Sequence, residues 1–206
     1  MAASKSQRIG IWVIAVVMTI GTIGSFFVVI LANDNNRKDQ ASQQELMQQY
    51  QEYQEKVAAQ ATELSAKYFA TFSPFASRVA PFDAASIAEV GKEDLVVGDG
   101  EEIKEGTAYS AYYIGWNPSG KVFDQSIDGD KLKAPIEGGN LIEGWNEGVV
   151  GMKVGGVREI SIPAAKAYGE KGSGEDIPAN TPIKFVVFII PKPEAIKMPD
   201  FSSAQQ

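Results

Sequence analysis

The stretch with most to offer chemically runs from Leu141 to Tyr168 and its following glycine, LIEGWNEGVVGMKVGGVREISIPAAKAYG. It sets the apolar pair Leu141-Ile142 just ahead of Trp145, holds that indole between Gly144 and Gly148, and closes on Tyr168-Gly169. Nothing in it resembles a proton-transfer or nucleophilic centre. It offers apolar and aromatic surface on tightly turned backbone, which suits a pocket that binds. The rest of the composition agrees. There is no cysteine, so disulfides, thiolate metal sites and Cys nucleophiles are excluded. There is no histidine either, which removes Ser-His hydrolysis, imidazole-ligated zinc and ordinary imidazole acid–base catalysis.

Other signatures are weak or absent. Asp124-x-Ser126-x-Asp128-Gly129 begins like a calcium loop, but its twelfth position is Pro135 where a bidentate Glu belongs. No phosphate-binding loop, dinucleotide fingerprint or nucleophile elbow occurs, and no metal or cofactor is predicted. The formal net charge is −7. Every acidic residue lies after position 33 while Lys5 and Arg8 precede it, so the body is more acidic still. An acidic body argues against nucleic acid and against adhesion to anionic lipid through the domain itself.

The elements that must position the pocket follow a basic tail, residues 1–8. Residues 9–32 are uncharged. At ~1.5 Å rise per residue such a helix reaches about 36 Å, enough for a hydrocarbon core of about 30 Å, and predicts a membrane anchor. Lys5 and Arg8 on one side, against Arg37 and Lys38 after a polar NDNN, place the N-terminus in the cytoplasm and the body outside. Residues 33–72 form a stalk, helical from Gln40, with an apolar stripe at Leu46, Tyr50, Tyr53, Val57, Ala61, Leu64 and Tyr68. A stalk that pairs two copies into a homodimer and a spacer helix folded back on the domain both fit that stripe. Ser73-Pro74 ends the helix, and residues 73–89 read as a hinge or linker. From residue 90 to 193 the pattern is short strands with turns: an alternating run at Thr107–Ile114, a turn at Asn117–Gly120, an alternating run at Val157–Ile162 and a continuous apolar run at Ile183–Ile190. A short helix at Ile142–Val149 completes an α+β domain whose antiparallel sheet wraps over it. Residues 194–206 are a tail.

In that domain the order and spacing of Tyr113-Ile-Gly115, Gly120-Lys-Val-Phe123-Asp124, Leu141-Ile142-Glu-Gly144-Trp145, Gly148 to Gly155, Ile162-Pro163, Ala167-Tyr168-Gly169, Ile177-Pro178 and Phe185 resemble the FKBP-type peptidyl-prolyl cis-trans isomerases. The resemblance implies a sheet curled around one short helix, with a cavity that receives a prolyl ring. It implies Tyr113, Phe123, Asp124, Ile142 and Tyr168 as catalytic residues, and Leu141, Trp145, Ile177 and Phe185 as substrate-binding ones. Trp145 would floor the pocket, the Ile142 N–H and the Tyr168 hydroxyl would donate to substrate carbonyls, and Asp124 would orient the twisting carbonyl. Proline-containing polypeptide clients are the implied partners, with a macrolide as the implied foreign ligand.

The sequence also departs from the family. Where members often carry two aromatic residues between Asp124 and Leu141, the nearest equivalents are Leu132 and Ala134. The loop EKGSGEDIP after Gly169 puts Asp176 before Ile177, an acidity that would favour cationic clients. The expectation is a single-pass, membrane-anchored isomerase of the bacterial-envelope kind that assists exported proteins. The alternative is a catalytically weak FKBP-like chaperone or scaffold module.

Overall fold

The computed structural model describes residues 37–139 and 141–199. The predicted anchor at residues 9–32 lies outside the described residues, as do 200–206 of the tail. Among the described residues no helix is long and apolar enough to cross a membrane. The chain divides into two compact units, Lys56–Ala195 and the segments up to Glu55 and from Ile196. The first unit carries every strand.

Helix α1 spans Arg37–Phe72, a run without Gly or Pro, and stops where Pro74 enters a short 3-10 turn, Ser73–Arg78. A second such turn covers Ala84–Ser86. Then come β1 (Gly91–Val96), β2 (Ser110–Trp116), β3 (Val122–Gln125), β4 (Ile127–Asp128), β5 (Lys131–Leu132), β6 (Ile136–Glu137), α2 (Glu143–Val149), β7 (Val157–Ile162) and β8 (Ile183–Ile190). The main sheet is antiparallel in the order β1-β7-β8-β2-β3, with β6 also paired to β2 and β4–β5 forming a separate hairpin. Strand β2 begins later than the alternating run predicts because residues 104–107 close a turn. Thr107 N–H donates to the Lys104 carbonyl at 3.0 Å, its Oγ1 accepts from Lys104 N at 3.0 Å, and Gly106 has φ +80°.

Both faces of the sheet are covered, as the continuous apolar run of β8 requires. On the inner face Ala111, Ile160, Ile162, Ile183, Val187 and Ile189 meet α2 through Trp145 and Val149. On the outer face Tyr112, Ile114, Trp116, Val186, Phe188 and Ile190 meet Tyr68, Phe69 and Phe72 from the end of α1. Phe72 is wholly buried, its ring 5.9 Å from that of Phe188, and Tyr68 packs edge-on to Phe188 at 5.5 Å. Of the two uses open to the stripe, the stretch after Lys56 folds back on its own sheet.

The hydroxyl of Tyr112 is buried in this outer layer with no hydrogen-bond partner among the described residues. Burial, then the neighbouring Tyr68, pushes its pKa up to about 12. An unmet buried hydroxyl costs about 1–3 kcal/mol. Tyr112→Phe is therefore expected to leave stability unchanged or raise it by about 1 kcal/mol, read from denaturant midpoints.

Residues 73–89, expected as a hinge or linker, lie across the outer face. The Trp116 indole N–H donates to the Ala80 carbonyl at 3.0 Å, and Phe82 N–H to the Pro118 carbonyl at 3.0 Å. Arg78 and Lys184 both grip the buried Glu159 carboxylate, at 2.9 and 2.8 Å, and Arg78 also meets Glu93 at 2.9 Å. A cavity of about 300 Å3 lies under this strap, bordered by Arg78, Pro81, Phe82, Trp116, Glu159 and Lys184. It is on the face away from Trp145.

Candidate functional site

The inner face gathers the nine residues singled out in the sequence. Phe185 of β8 stands at the centre, its ring edge-on to Trp145 of α2 at 5.0 Å, to Phe123 of β3 at 5.5 Å and to Tyr113 of β2 at 6.0 Å. Tyr113 in turn meets Trp145 at 5.7 Å. These edge-to-face pairs fix the rings relative to one another beyond simple burial. Trp145, Ile177 and Phe185 are buried, while Tyr113, Phe123, Leu141, Ile142 and Tyr168 are half-buried around them. The result is an apolar floor with a partly open aromatic rim.

Gly115 makes the closure sterically feasible. It pairs with Asp124 on one side and Phe185 on the other. A Cβ there would sit 2.5 Å from the Phe185 ring and 2.7 Å from the Phe123 ring. A side chain at this position would push the two rings apart. The requirement is one of space more than of backbone conformation.

The polar side of the site is a clamped carboxylate. The Tyr113 hydroxyl donates to one oxygen of Asp124, and Gln125 N–H donates to the other at 2.8 Å. Tyr113 is itself fixed through its backbone: its N–H donates to Ser126 Oγ at 2.9 Å and its carbonyl accepts from Ser126 N–H at 2.8 Å. Burial pushes the Tyr113 phenol well above the usual tyrosine range, and the bond to Asp124 and its charge add to this. Tyr168 is raised for the same leading reason, with the charge of Asp124 contributing. Both phenols therefore remain protonated donors through any physiological pH.

The same shifts act on stability. Tyr109, Tyr112, Tyr113 and Tyr168 are all raised on folding, each chiefly by burial. The unfolded chain loses its tyrosine protons near pH 10 while the folded chain keeps them, so the native state binds more protons there and stability falls as pH rises. The contribution is full below about pH 10 and is lost above it. Chemical denaturation midpoints are expected to be level with respect to these groups from pH 7 to 9 and to drop steeply between about pH 10 and 12.

Supporting residues escaped the sequence reading. Tyr109 is buried, and its hydroxyl accepts the Trp145 indole N–H at 3.1 Å. The period-2 alternation through Tyr109, Ala111 and Tyr113 carried that signal. Removing the oxygen strands a buried indole donor, so Tyr109→Phe is expected to cost about 1–3 kcal/mol, by thermal or denaturant unfolding. Arg158, at alternate positions with Ile160 and Ile162 along β7, holds the end of α2. Its guanidinium donates to the Gly148 and Val150 carbonyls at 2.8 and 3.1 Å and pairs with Asp94 at 2.7 Å. Lysine or arginine at a helix C-terminus satisfies carbonyls that the helix cannot.

The loops depart from a simple rim. Leu132 is buried on the outer face with Phe72 and Phe188, and Ala134 is exposed, so neither joins the aromatic cage. Asp176 pairs with Lys121 Nζ, and its carbonyl accepts from the buried Asn117 side chain at 2.8 Å. That pairing reduces the acidity the loop presents beside Ile177. In the calcium-like stretch Asp124 and Ser126 face Tyr113, and Asp128 pairs with Lys131 at 3.8 Å. Asp124 and Ser126 are thus committed to Tyr113, and Asp128 to a lysine.

The family model described as FKBP-type peptidyl-prolyl cis-trans isomerase matches residues 99–190, which include all nine site residues. A probable FK506-binding protein of Corynebacterium glutamicum is 42% identical over 99 residues, covering 47% of this chain and 79% of that protein. This chain belongs to the FKBP-type isomerase family. FK506-binding protein 4 of Rhizopus delemar is 40% identical over 98 residues, 48% of this chain but 26% of that protein. The chain thus spans about a quarter of the length of the first curated relatives it matches. Among solved structures, the crystal structure of AtFKBP13 is 34% identical and 96% covered, with 52% of this chain aligned at a TM-score of 0.45.

Proposed function

We propose that the chain is a peptidyl-prolyl cis-trans isomerase, anchored in a membrane by residues 9–32, that acts on proline-containing segments of exported or envelope proteins. The observation that carries the reading is the aromatic cage around Phe185, set beside a carboxylate that Tyr113 and Gln125 hold on both oxygens. A carboxylate so engaged is suited to orienting a dipole rather than to taking a proton.

Rotation about X–Pro faces a barrier of ~18–20 kcal/mol from amide resonance. Twisting the bond breaks that resonance and reduces the charge separation across the amide. An apolar site therefore destabilises the planar forms more than the twisted one, and only such a difference accelerates rotation. In this reading the prolyl ring rests on Trp145 among Tyr113, Phe123, Leu141, Ile177 and Phe185. The Ile142 N–H and the Tyr168 hydroxyl hold the flanking carbonyls, and Asp124 faces the carbonyl that turns. The Tyr168 hydroxyl has no hydrogen bond among the described residues and stays protonated, as a donor to substrate needs.

The uncharged length of residues 9–32 and the cationic flank at Lys5 and Arg8 support the anchor, with a cytoplasmic N-terminus and the isomerase domain outside the membrane. Packing of Tyr68, Phe69 and Phe72 on the sheet takes the end of the apolar stripe out of any stalk homodimer. Macrolides of the FK506 kind, named in the relatives, are proposed competitors for the cage. One observation favours a weaker binding module of chaperone or scaffold type: Leu132 and Ala134 contribute nothing to the cage.

Isomerisation of proline peptides by Asp124→Ala and Tyr168→Phe separates these readings. The isomerase reading expects kcat/KM to fall at least about tenfold in each variant with folding retained, an effect of ~1.4 kcal/mol or more on the transition state. A wild type that protects clients from aggregation without accelerating rotation would support the module instead.

A further inference from the structure

Ser65 is out of place in its helix. It sits among Ala61, Leu64, Tyr68 and Phe72 on the packed stripe of α1 and is buried. Serine is a mediocre helix former and commonly bonds back to its own backbone, as the exposed Thr62 does to the Ala58 carbonyl at 2.9 Å. Ser65 Oγ instead accepts the Leu132 N–H at 2.7 Å.

Leu132 lies in the β4–β5 hairpin, which pairs Ile127 with Leu132. At the base of that hairpin Lys133 N–H donates to the Ser126 carbonyl at 2.8 Å, and Lys133 Nζ reaches the Gln125 carbonyl at 2.8 Å. Ser126 in turn holds Tyr113 through both its own N–H and its Oγ, and Tyr113 holds Asp124. An unbroken run of hydrogen bonds and one strand pairing therefore leads from the stalk helix to the carboxylate.

We propose that Ser65 is a positioning residue for the isomerase site. It pins the 126–133 hairpin to α1 so that Ser126, Tyr113 and Asp124 keep one arrangement. Leu132 is the hairpin's foot on the helix: its side chain enters the outer cluster and its amide meets Ser65. The end of α1 that carries Ser65 thus belongs to the catalytic unit. The proposal rests on the isomerase reading for its kinetic consequence but not for its structural one.

The test uses the full chain in detergent, as wild type, Ser65→Ala and Ser65→Thr. In Ser65→Ala the amides of Leu132, Ser126 and Tyr113 are expected to exchange about tenfold faster while those of β8 are unchanged. With proline peptides kcat is expected to fall about tenfold with little change in KM, and Ser65→Thr, which keeps the acceptor, is expected to restore both. Faster exchange confined to Leu132, or unaltered kcat, would overturn the proposal. A wild type without turnover would overturn the isomerase reading alone, and exchange at Ser126 and Tyr113 would still decide the coupling. Should Ser65→Ala lose the native exchange of β8, Ser65→Cys, with its weaker acceptor, is measured the same way.

Discussion

A chain beginning at Ala84 is expected to be unfolded or marginal, although it keeps every strand. It loses Phe72, wholly buried, together with the half-buried Tyr68, Phe69, Phe75, Val79 and Phe82 that cover the outer face. A fully buried side chain of this size contributes about 1.5–3 kcal/mol and a half-buried one less, so the layer is worth on the order of 5–8 kcal/mol. Native domains have only about 5–15 kcal/mol in total. The truncation also removes Arg78 from Glu159 and the Ala80 carbonyl from the Trp116 indole, leaving a buried carboxylate with one cation and a buried donor with none. A chain from Lys56 onward retains all of these. Thermal unfolding and binding of an apolar dye compare the two. Equal melting temperatures and no dye binding by the shorter chain would show that the helix is dispensable.

Phe185→Ala is expected to have the largest effect of any single change at the site. The ring is buried and makes edge-on contacts with Trp145, Phe123 and Tyr113 at 5.0, 5.5 and 6.0 Å. Truncating a buried Phe costs about 3–5 kcal/mol through lost transfer energy and the cavity left behind, and each ring pair is worth about 0.5–1.5 kcal/mol beyond burial. The variant should melt at least ten degrees lower, since ~1 kcal/mol moves the midpoint of a domain this size by about 2–6 °C. Its kcat/KM should fall more steeply than that of Phe185→Leu at a temperature where both are folded. A loss of stability without a loss of turnover would place Phe185 in the core and outside the substrate's reach.

Much of this molecule was readable before any coordinates. The apolar run at Ile183–Ile190 announced a strand buried on both faces, and it lies between β7 and β2. The alternation of Val157–Ile162 placed Arg158 beside Ile160 and Ile162, and its guanidinium does reach the end of α2. The nine site residues converge because their spacing is tied to particular strands and to one helix. Partnership was harder to read than periodicity. The stripe on α1 showed that one face is buried, but not against what, because apolar burial is non-directional. Phe69 beside Tyr68 and Phe72 one turn beyond it complete the contact. Leu132 stands nearest to where the resemblance implies an aromatic residue, yet the two-residue strand it occupies turns it to the opposite face. Gly115 is needed as space for the Phe185 and Phe123 rings, which its own stretch of sequence does not show. Asp176 looked like free acidity and is paired with a lysine 55 positions away. Each of these depends on a long-range neighbour that local sequence does not name.

On the proposed function, this site lowers the barrier to X–Pro rotation by holding the twisted amide, without moving a proton. Exchange spectroscopy on a proline peptide with the full chain in detergent measures the cis–trans rate directly. The expected result is acceleration far above the uncatalysed rate, reduced at least about tenfold by Asp124→Ala and by Phe123→Ala, with folding intact in both. Peptide that binds near Trp145 yet exchanges at the uncatalysed rate would contradict it.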